Sequence, residues 1–373
     1  MKVLVVTNIP NPYRIPLFNL LQDDFSKNQH ELLVLFGTDT YKRRKFTLDL
    51  NECRFRYHIL DSHKYKIASK EGIILTYHGI YNEIRKFSPD KIIVSGFSIA
   101  TLKLFFFSFL GKIPYYIWSG SIVTKGRTQS KLILLLRMLL AKRASGFLTY
   151  GSRSKEYLIS LGIKPEKISI AINTVDVSFF KTETEKLRSA LSVKKRKKFI
   201  YIGYLTKGKR VDLILNAIYK LKQQRDDFFF QIIGDGNELG NLKSICNELD
   251  LNDRVQFTGF IQKEKLPQHL ADAYAFLFAS EYDIWGLVMV EAMAAGIPCI
   301  ASKYAGATID LIENNINGYE VDYENSENIS SILGNLLNDQ NLRDKLALNA
   351  SKKIFNEITL QKSAEGFYRI LGI

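Results

Sequence analysis

The chain has 373 residues, of which 46% are hydrophobic and 24% are charged, so it is a globular protein without long disordered stretches. About two domains are expected, because a single core rarely grows to this size. The net charge of +14 arises from residues 1–183, which hold 28 Lys and Arg against 14 Asp and Glu, whereas residues 184–373 hold 24 of each. This imbalance predicts an anionic partner. Because the sequence has no nucleic-acid-binding motif, a membrane surface is favoured over nucleic acid.

Short apolar runs alternate with longer amphipathic stretches, the pattern of βα units on parallel sheets. The N-terminal sequence MKVLVVTNIP has too short an apolar run for a signal peptide and predicts a strand. The strands predicted in the first half are Val3–Thr7, Glu31–Leu35, Lys91–Val94, Tyr115–Trp118, Gly146–Thr149 and Ile168–Ala171. Those predicted in the second half are Phe199–Gly203, Phe229–Ile233, Val255–Phe257, Ala275–Phe278 and Cys299–Ala301.

The strand series restarts near residue 198, which predicts an α/β protein of two doubly wound, Rossmann-like domains facing across a cleft. We assign residues 1–183 to the first domain and residues 184–361 to the second. Residues 362–373 form a predicted helix that docks back on the first domain. Three cysteines, odd in number and far apart, argue against a disulfide framework and for a reducing compartment.

Two features of the first half bear on partners. The segment KLILLLRMLLAKR, residues 131–143, is either a buried core helix or an interfacial helix whose cations meet anionic lipid. The loop after the first strand, TNIPNPYRIPLF, lies at the sheet edge where such folds bind ligands and includes Asn8 and Arg14. Arg14 is a candidate for holding an acceptor phosphate or a leaving diphosphate; the alternative is a surface arginine in a proline-rich turn.

The stretch SEYDIWGLVMVEAMAAGIP, residues 280–298, predicts a loop with Asp283 followed by a helix that begins near Gly286. The amides of Gly286, Leu287 and Val288 would then form an anion site at the positive end of the helix dipole. Glu291, more than one turn into the helix, would reach a group on one side of the anion, and Asp283 a group on the other. A nucleotide-sugar has this shape.

Two further turns follow strands of the second half. In GYLTKGKRVDLILNAI, Lys209 and Arg210 lie near a helix start and are predicted to neutralise a diphosphate. In IIGDGNELG, Gly234 allows backbone to approach a ligand, but the spacing is not that of a dinucleotide fold. The five histidines have no metal-ligand spacing, so no metal is expected.

On these motifs the chain resembles the retaining glycosyltransferases with the GT-B fold, family four, also called glycosyl transferases group 1. The family pattern of an acid, seven residues and a glutamate is found in WGLVMVEAMAAGIP and the loop before it. IYIGYLTKGKRVD resembles the phosphate-binding turn, VQFTGFI the base-recognition loop and KISIAINTVDVSFF the end of the first domain. The resemblance covers residues 140–320 well and the N-terminal third only in outline.

The resemblance implies roles for individual residues. Glu291 corresponds to the glutamate that binds the ribose hydroxyls, Asp283 to an acid that contacts the donor sugar, and Lys209 to the phosphate-binding lysine. The backbone around Phe260 and Ile261 would meet the base. This chain departs from the family in having Asp283 in place of glutamate, and Tyr204 and Arg210 where arginine and glycine are common.

The family histidine after the fourth strand has no counterpart in YYIWSGSIV, so no catalytic base is assigned there. Ser119 and Gly120 of that stretch remain acceptor-side candidates.

The resemblance implies a metal-independent, hexosyltransferase-type enzyme that moves a sugar from a nucleotide-diphosphate sugar to a lipid-linked or oligosaccharide acceptor. The process would be surface polysaccharide or lipopolysaccharide biosynthesis, at the cytoplasmic face of the membrane. The alternatives are a nucleotide-sugar epimerase or phosphorylase on the same fold, and a non-catalytic nucleotide-sugar-binding or membrane scaffold protein.

Overall fold

The computed structural model describes residues 1–39, 45, 48–66, 73–109, 111, 113–123, 130–190 and 197–373. It divides into two compact units, Met1–Asn173 with Leu360–Ile373, and Thr174–Thr359. The expected boundary at residue 183 falls inside a helix, Val177–Ser189, that belongs wholly to the second unit. Arg188 of this helix donates to the carbonyls of Ala271 and Ala295, which ties the helix to that unit.

The strands, in chain order, are β1 (Lys2–Thr7), β2 (Glu31–Phe36), β3 (Arg56–Ile59), β4 (Lys64–Lys66), β5 (Ile73–Leu75), β6 (Lys91–Ser95), β7 (Tyr115–Ser119), β8 (Gly146–Thr149), β9 (Ile168–Ile170), β10 (Lys197–Ile202), β11 (Phe228–Ile233), β12 (Val255–Gly259), β13 (Ala273–Phe278), β14 (Cys299–Ser302) and β15 (Gly318–Val321).

The α-helices, in chain order, are α1 (Ile15–Lys27), α2 (Ile80–Phe87), α3 (Ile99–Phe107), α4 (Lys131–Arg143), α5 (Ser152–Ser160), α6 (Val177–Ser189), α7 (Val211–Lys222), α8 (Leu239–Glu248), α9 (Leu266–Leu270), α10 (Leu287–Ala294), α11 (Thr308–Leu311), α12 (Ser326–Asn338), α13 (Gln340–Glu357) and α14 (Leu360–Leu371).

The first unit has a parallel sheet in the order β3-β2-β1-β6-β7-β8-β9. Alternate residues of β1 supply its two cores, as the period of a strand requires. Leu4 and Val6 pack in the core that includes α2, α3 and α5, whereas Val3 and Val5 pack in the core that includes α1 and α14. The C-terminal helix α14 is held by the Ser169 hydroxyl, which donates to the carbonyl of Gly366 at 3.0 Å.

The second unit has a parallel sheet in the order β12-β11-β10-β13-β14-β15. In both sheets the chain first winds to one side and then to the other, so each has a point where the strand order reverses. That point lies between β1 and β6 in the first unit and between β10 and β13 in the second, and open α/β sheets bind ligands there.

The predicted fold class, two Rossmann-like α/β halves, is confirmed, and each predicted strand is found with ends within two residues of those expected. Four strands were not predicted from the sequence: β3, β4, β5 and β15. β3 and β15 are four-residue edge strands, RYHI and GYEV, and β4 and β5 form a separate pair of three-residue strands, so none of them has the longer apolar run that marks a central strand.

Helix α4 is exposed along most of its length. Only Leu140 and Ala141 are buried, so the interpretation of this segment as a core helix is wrong. The exposed leucines include Leu132 at 75% and Leu135 at 64%. Across the described ranges, no helix is both long enough and apolar enough to cross a bilayer.

Candidate functional site

Four loops meet at the carboxyl edge of the second sheet, after β10, β11, β13 and β14. Backbone hydrogen bonds join them: the amide of Leu205 donates to Asp235 at 3.0 Å, that of Glu281 to Gly208 at 3.0 Å and that of Gly306 to Asp283 at 2.8 Å. The loops therefore form one connected surface at the strand-order reversal.

Two glycines allow the close approach of these loops. A Cβ on Gly234 would lie 1.8 Å from the Gly203 carbonyl oxygen, and one on Gly306 would lie 2.0 Å from the Ile284 carbonyl oxygen. Gly234 was predicted to let the backbone approach a ligand. The structure shows that a glycine is needed there because the ends of β10 and β11 lie in close contact. Gly306 was not predicted, although its position shortly after β14 could have indicated a glycine at the sheet edge.

Helix α10 begins at this edge without a side-chain cap. Gly286 precedes it with a φ of 95°, a left-handed conformation that glycine adopts at little cost. The amides of Leu287 and Val288, in the first turn, have no intrahelical acceptors, and both residues are half-buried. The structure therefore places these predicted residues where an anion would meet donor groups and the positive end of the helix dipole.

Glu291 lies in α10 with only 9% of its surface exposed, and its Oε2 atom has no hydrogen-bond partner. Burial raises the pKa of this carboxyl to about 7, although the charge of Lys263 opposes the shift. Side chains of a helix tilt toward its N-terminus, so the carboxyl extends back toward the uncapped amides. A buried carboxylate without a partner is costly, and hydroxyl donors from a ligand would satisfy it.

Asp283 and Lys209 form an ion pair at the same edge. Lys209 Nζ donates to Asp283 Oδ2, and both side chains are largely buried. The other oxygen, Oδ1, accepts from the Trp285 amide at 3.1 Å, which fixes the loop that leads into α10. The two residues predicted to contact a sugar and a phosphate are thus brought together.

Arg210 is committed to partners within the protein. Its Nη1 donates to Glu281 at 2.7 Å and to Glu324 at 3.1 Å, and its Nε contacts Asp212 at 3.2 Å. Three carboxylates thus surround Arg210, and its role as a second diphosphate cation stays a prediction. Neither Glu281 nor Glu324 was singled out from the sequence, since they lie 71 and 114 residues from Arg210.

The predicted base loop follows β12. Gly259 accepts from the Gly234 amide at 2.9 Å, which joins this loop to the one after β11. Phe260 is 38% exposed and Ile261 is half-buried, so the loop offers apolar surface beside the strand ends. Lys263, two residues further, is the cation that acts on Glu291, and the sequence analysis missed it.

Arg14 is not a surface arginine. It is 5% exposed, its Nη1 donates to the Thr7 hydroxyl at 3.0 Å, and its Nη2 donates to the Tyr150 hydroxyl. The guanidinium lies 4.1 Å from the centre of a Trp118 ring, a cation–π geometry. Arg14 therefore holds the ends of β1, β7 and β8 together; the aromatic residues that surround it were not predicted.

The other acceptor-side candidates lie on the first sheet's carboxyl edge. The Asn8 side-chain oxygen accepts from the Tyr77 hydroxyl, and its carbonyl accepts from the Thr38 amide at 3.0 Å. Ser119 is buried at the end of β7 and accepts from the Ser121 amide at 3.1 Å, with Gly120 between them. Asn8 and Gly120 come directly after β1 and β7, and Ser119 is the last residue of β7.

Among the residues described, no cluster of three or more His, Cys, Asp or Glu side chains could hold a metal ion.

Known proteins resemble the second unit most clearly. Residues 182–353, almost all of that unit, match the family model of the glycosyl transferases group 1. This match covers less than half of the chain. The uncharacterized glycosyltransferase MJ1607 of Methanocaldococcus jannaschii is 26% identical over 251 residues, which are 65% of this chain and 64% of that protein. The amylovoran biosynthesis glycosyltransferase AmsK of Erwinia amylovora is 31% identical over 182 residues, 47% of this chain and 43% of its own.

The chain thus spans about half the length of most curated relatives it matches. Among solved structures, Anabaena Alr3699/HepE in complex with UDP superposes with a TM-score of 0.80 over 100% of both chains, at 19% identity. That likeness extends to both units and shows that the whole chain shares the fold of that structure.

Proposed function

We propose that this protein is a retaining glycosyltransferase that moves a sugar from a nucleotide-diphosphate sugar to a lipid-linked glycan, in surface polysaccharide or lipopolysaccharide biosynthesis. The observation that carries the proposal is Glu291: a buried carboxyl with an unpartnered oxygen, one turn behind uncapped helix amides, within the residues that match the group 1 glycosyltransferase model. A ribose supplies two hydroxyl donors, and the diphosphate beside it is the anion that the amides would accept.

On this account the donor lies along the carboxyl edge of the second sheet. The base contacts the loop of Phe260 and Ile261, and the ribose binds Glu291. The diphosphate meets Lys209 and the amides of α10, while Asp283 exchanges its contact with Lys209 for the hydroxyls of the donor sugar. Lys209 is the proposed phosphate cation, since Arg210 is held by three carboxylates.

The reaction breaks the bond between the anomeric carbon and the diphosphate oxygen, and forms a bond from that carbon to the acceptor oxygen on the same face. The acceptor hydroxyl proton passes to the departing phosphate. Lys209 and the helix amides stabilise the charge that grows on the diphosphate, which is commonly the largest catalytic term. These groups take the place of a metal ion, so we propose metal-independent transfer.

The acceptor and the membrane are assigned to the first unit. This unit holds 29 Lys and Arg against 13 Asp and Glu, and α4 exposes leucines next to basic residues. Two of the four basic residues of α4 form hydrogen bonds within the protein: Arg137 donates to the Tyr157 hydroxyl, and Arg143 donates to the Ser108 carbonyl at 3.0 Å. Lys131 and Lys142 therefore remain the proposed contacts to anionic lipid at the cytoplasmic face.

The test begins with a thermal-shift panel of nucleoside diphosphates and their sugars; the nucleotide that stabilises most is called the donor nucleotide below. The selected sugar donor is then incubated with a bacterial lipid extract, with and without chelator, and the products are read by mass spectrometry. We expect the donor to be consumed only when lipid is present, and to be consumed equally with and without chelator. The product should have the donor's anomeric configuration. Conversion without lipid would instead indicate an epimerase, and binding without turnover a non-catalytic protein.

A further inference from the structure

Lys263 lies at the carboxyl edge of the second sheet, just beyond the loop that follows β12. It begins a short 3₁₀ turn, Lys263–Lys265, that leads into α9. The side chain is half-buried, and its ammonium lies 5.4 Å from the centre of the Phe179 ring and 6.0 Å from that of Phe180. Aromatic faces attract a cation without hydrogen bonds, so the two rings hold the ammonium beside the start of α6.

Three helices of the second unit run side by side from the carboxyl edge to the amino edge. α9 and α10 begin after the loops that follow β12 and β13, and they end before β13 and β14. α6 packs against both, and its Arg188 donates to the carbonyls of Ala271 and Ala295 at their far ends. Phe179, nine residues earlier in α6 and about 13 Å along its axis, therefore lies near the starts of α9 and α10. The ammonium beside this ring is thus close to the first turns of α10, where the Glu291 side chain extends back toward the same edge.

The charge of Lys263 acts on the buried carboxyl of Glu291. Burial raises the pKa of Glu291 to about 7, and Lys263 opposes this rise because an ammonium favours a nearby carboxylate over the neutral acid. Among the described residues no side-chain hydrogen bond contributes to the shift, so the attraction acts through space. A carboxyl whose pKa lies close to neutral pH changes its protonation when a nearby charge is removed.

The other charged groups around α10 have partners of their own. In the loop before the helix, Lys209 and Asp283 pair with each other, and the neighbouring strands β13 and β14 contain no Asp, Glu, Lys or Arg. Their titratable side chains, Tyr274 and Cys299, have pKa values raised by burial and are neutral at physiological pH. The half-buried charged side chains of α6 and α13 contact rings, backbone carbonyls or opposite charges; they are Lys181, Glu183, Arg188, Arg343 and Lys353.

We infer that Lys263 is a positioning residue for the nucleotide: its ammonium, held by Phe179 and Phe180, keeps Glu291 in the carboxylate form that accepts the ribose hydroxyls. The inference deepens the proposed function and rests on its assignment of Glu291 to the ribose. An ionised carboxylate offers only acceptors, whereas the protonated acid places an O–H group where a hydroxyl donor should meet a lone pair. Nucleotide binding should therefore require the ionised carboxyl, and Lys263 should set the pH at which that form prevails.

The test measures the affinity of the full-length protein for the sugar donor, by calorimetry, between pH 5.5 and pH 8.5. The sugar donor is used because the terminal phosphate of a free nucleoside diphosphate changes its own protonation at about pH 6. For the wild type, affinity should be constant at high pH and should fall as the pH drops through about 7, where Glu291 takes up a proton. Lys263→Met should move this midpoint up by about 0.5–1 pH unit, so that binding is about 2- to 5-fold weaker at pH 7 and nearly unchanged at pH 8.5.

Three further variants serve as controls, with thermal melts as the check on folding. Lys263→Arg keeps both the charge and the ring contact and should leave the midpoint where it is in the wild type. Lys265→Met removes an exposed lysine from the same turn and should also leave the midpoint unchanged. In the Glu291→Gln background, which has no carboxyl to ionise, adding Lys263→Met should change affinity less than twofold at any pH.

Three results would overturn the inference and leave the proposed function standing. The first is a Lys263→Met midpoint equal to that of the wild type. The second is a loss of affinity of the same size at every pH, which would indicate direct contact of Lys263 with the nucleotide. The third is an equal shift in Lys265→Met, which would indicate general surface charge.

A different pattern would contradict the ribose assignment itself. If the wild type binds the sugar donor equally at all pH values, or if Glu291→Gln keeps the same pH dependence, the Glu291 carboxyl does not control nucleotide binding. The proposed role of Glu291 and the inference about Lys263 would then both be wrong.

Discussion

The two sheets wind in the same order, with one more strand at one edge of the first, but they differ in what surrounds their carboxyl edges. In the second unit, 23 Lys and Arg nearly balance 25 Asp and Glu, and the loops are joined by backbone hydrogen bonds and an ion pair. In the first unit the basic residues exceed the acidic by 16, and the edge carries a cavity under an exposed apolar helix. One topology thus supports a polar edge joined by hydrogen bonds and, in the other unit, a basic edge beside an exposed apolar helix.

The comparison also shows how differently the two edges use arginine. Arg210 is held in the second unit by three carboxylates, whereas Arg14 in the first is held by hydroxyls and aromatic rings. Neither guanidinium is a simple surface charge, so an arginine near a strand end is weak evidence for a phosphate site until its partners are known.

The largest expected effect is at Glu291. Glu291→Gln should lower affinity for the donor nucleotide about 10- to 100-fold, since hydrogen bonds to a charged group contribute about 1.5–3 kcal/mol each. Calorimetric titration measures this, and an unchanged affinity would remove Glu291 from the site.

The same substitution should stabilise the free protein at alkaline pH. The pKa of Glu291 is raised to about 7, so its ionisation opposes folding as the pH rises from about 4.5 through 7. Removing the charge should therefore raise the free energy of unfolding at pH 8 by at most about 3 kcal/mol and have little effect near pH 4.5. Thermal melts at both pH values, without nucleotide, are the measurement; a gain that is equal at both would contradict the buried charge.

Substitutions of Lys209 and Arg210 should have different effects, the first mainly on nucleotide affinity and the second mainly on protein stability. Lys209→Met should weaken the nucleoside diphosphate about 10-fold or more and leave the matching nucleoside unaffected, because only the diphosphate meets the ammonium. Arg210→Gln leaves three carboxylates without their cation and should destabilise the unit by about 1–3 kcal/mol with a smaller change in affinity. The reverse pattern would restore Arg210 as the phosphate cation.

Gly306→Ala tests the loop contacts of the second edge. The added Cβ meets the Ile284 carbonyl, so the Asp283 loop must shift, at a cost of about 1–3 kcal/mol and a several-fold loss of nucleotide affinity. Gly240→Ala, where a Cβ meets nothing within 4 Å, is the matched control and should be neutral or slightly stabilising. Equal chemical-denaturation midpoints for the two variants would argue against a rigid edge.

The smallest effect is expected on the first unit's surface. Replacing both Lys131 and Lys142 by glutamate should reduce co-sedimentation with anionic vesicles several-fold, at about 1 kcal/mol per cation near a membrane surface. Lys352→Glu, exposed in α13 of the second unit, should leave vesicle binding nearly unchanged. Equal losses for the two proteins would point to net charge and not to α4.

The two sheet edges differ in how much of their structure could be predicted from the sequence. The stretch from Asp283 to Glu291 could be interpreted in advance because its loop, glycine and helix are contiguous, and the fold places them as expected. Glu281 and Glu324 on Arg210, and Tyr150 on Arg14, could not, since they lie 71 to 136 positions away and carry no local pattern. The cavity under α4 was missed for the same reason, since its walls come from separate elements.

The most direct measurement compares the donor nucleotide with its 2′,3′-dideoxy analogue, by calorimetry, on the wild type and on Glu291→Gln. The wild type is expected to prefer the natural ribose at least tenfold, and the variant to lose most of this preference. A wild type that binds both equally, or a variant that still discriminates fully, would contradict the assignment of the buried Glu291 carboxyl to the ribose.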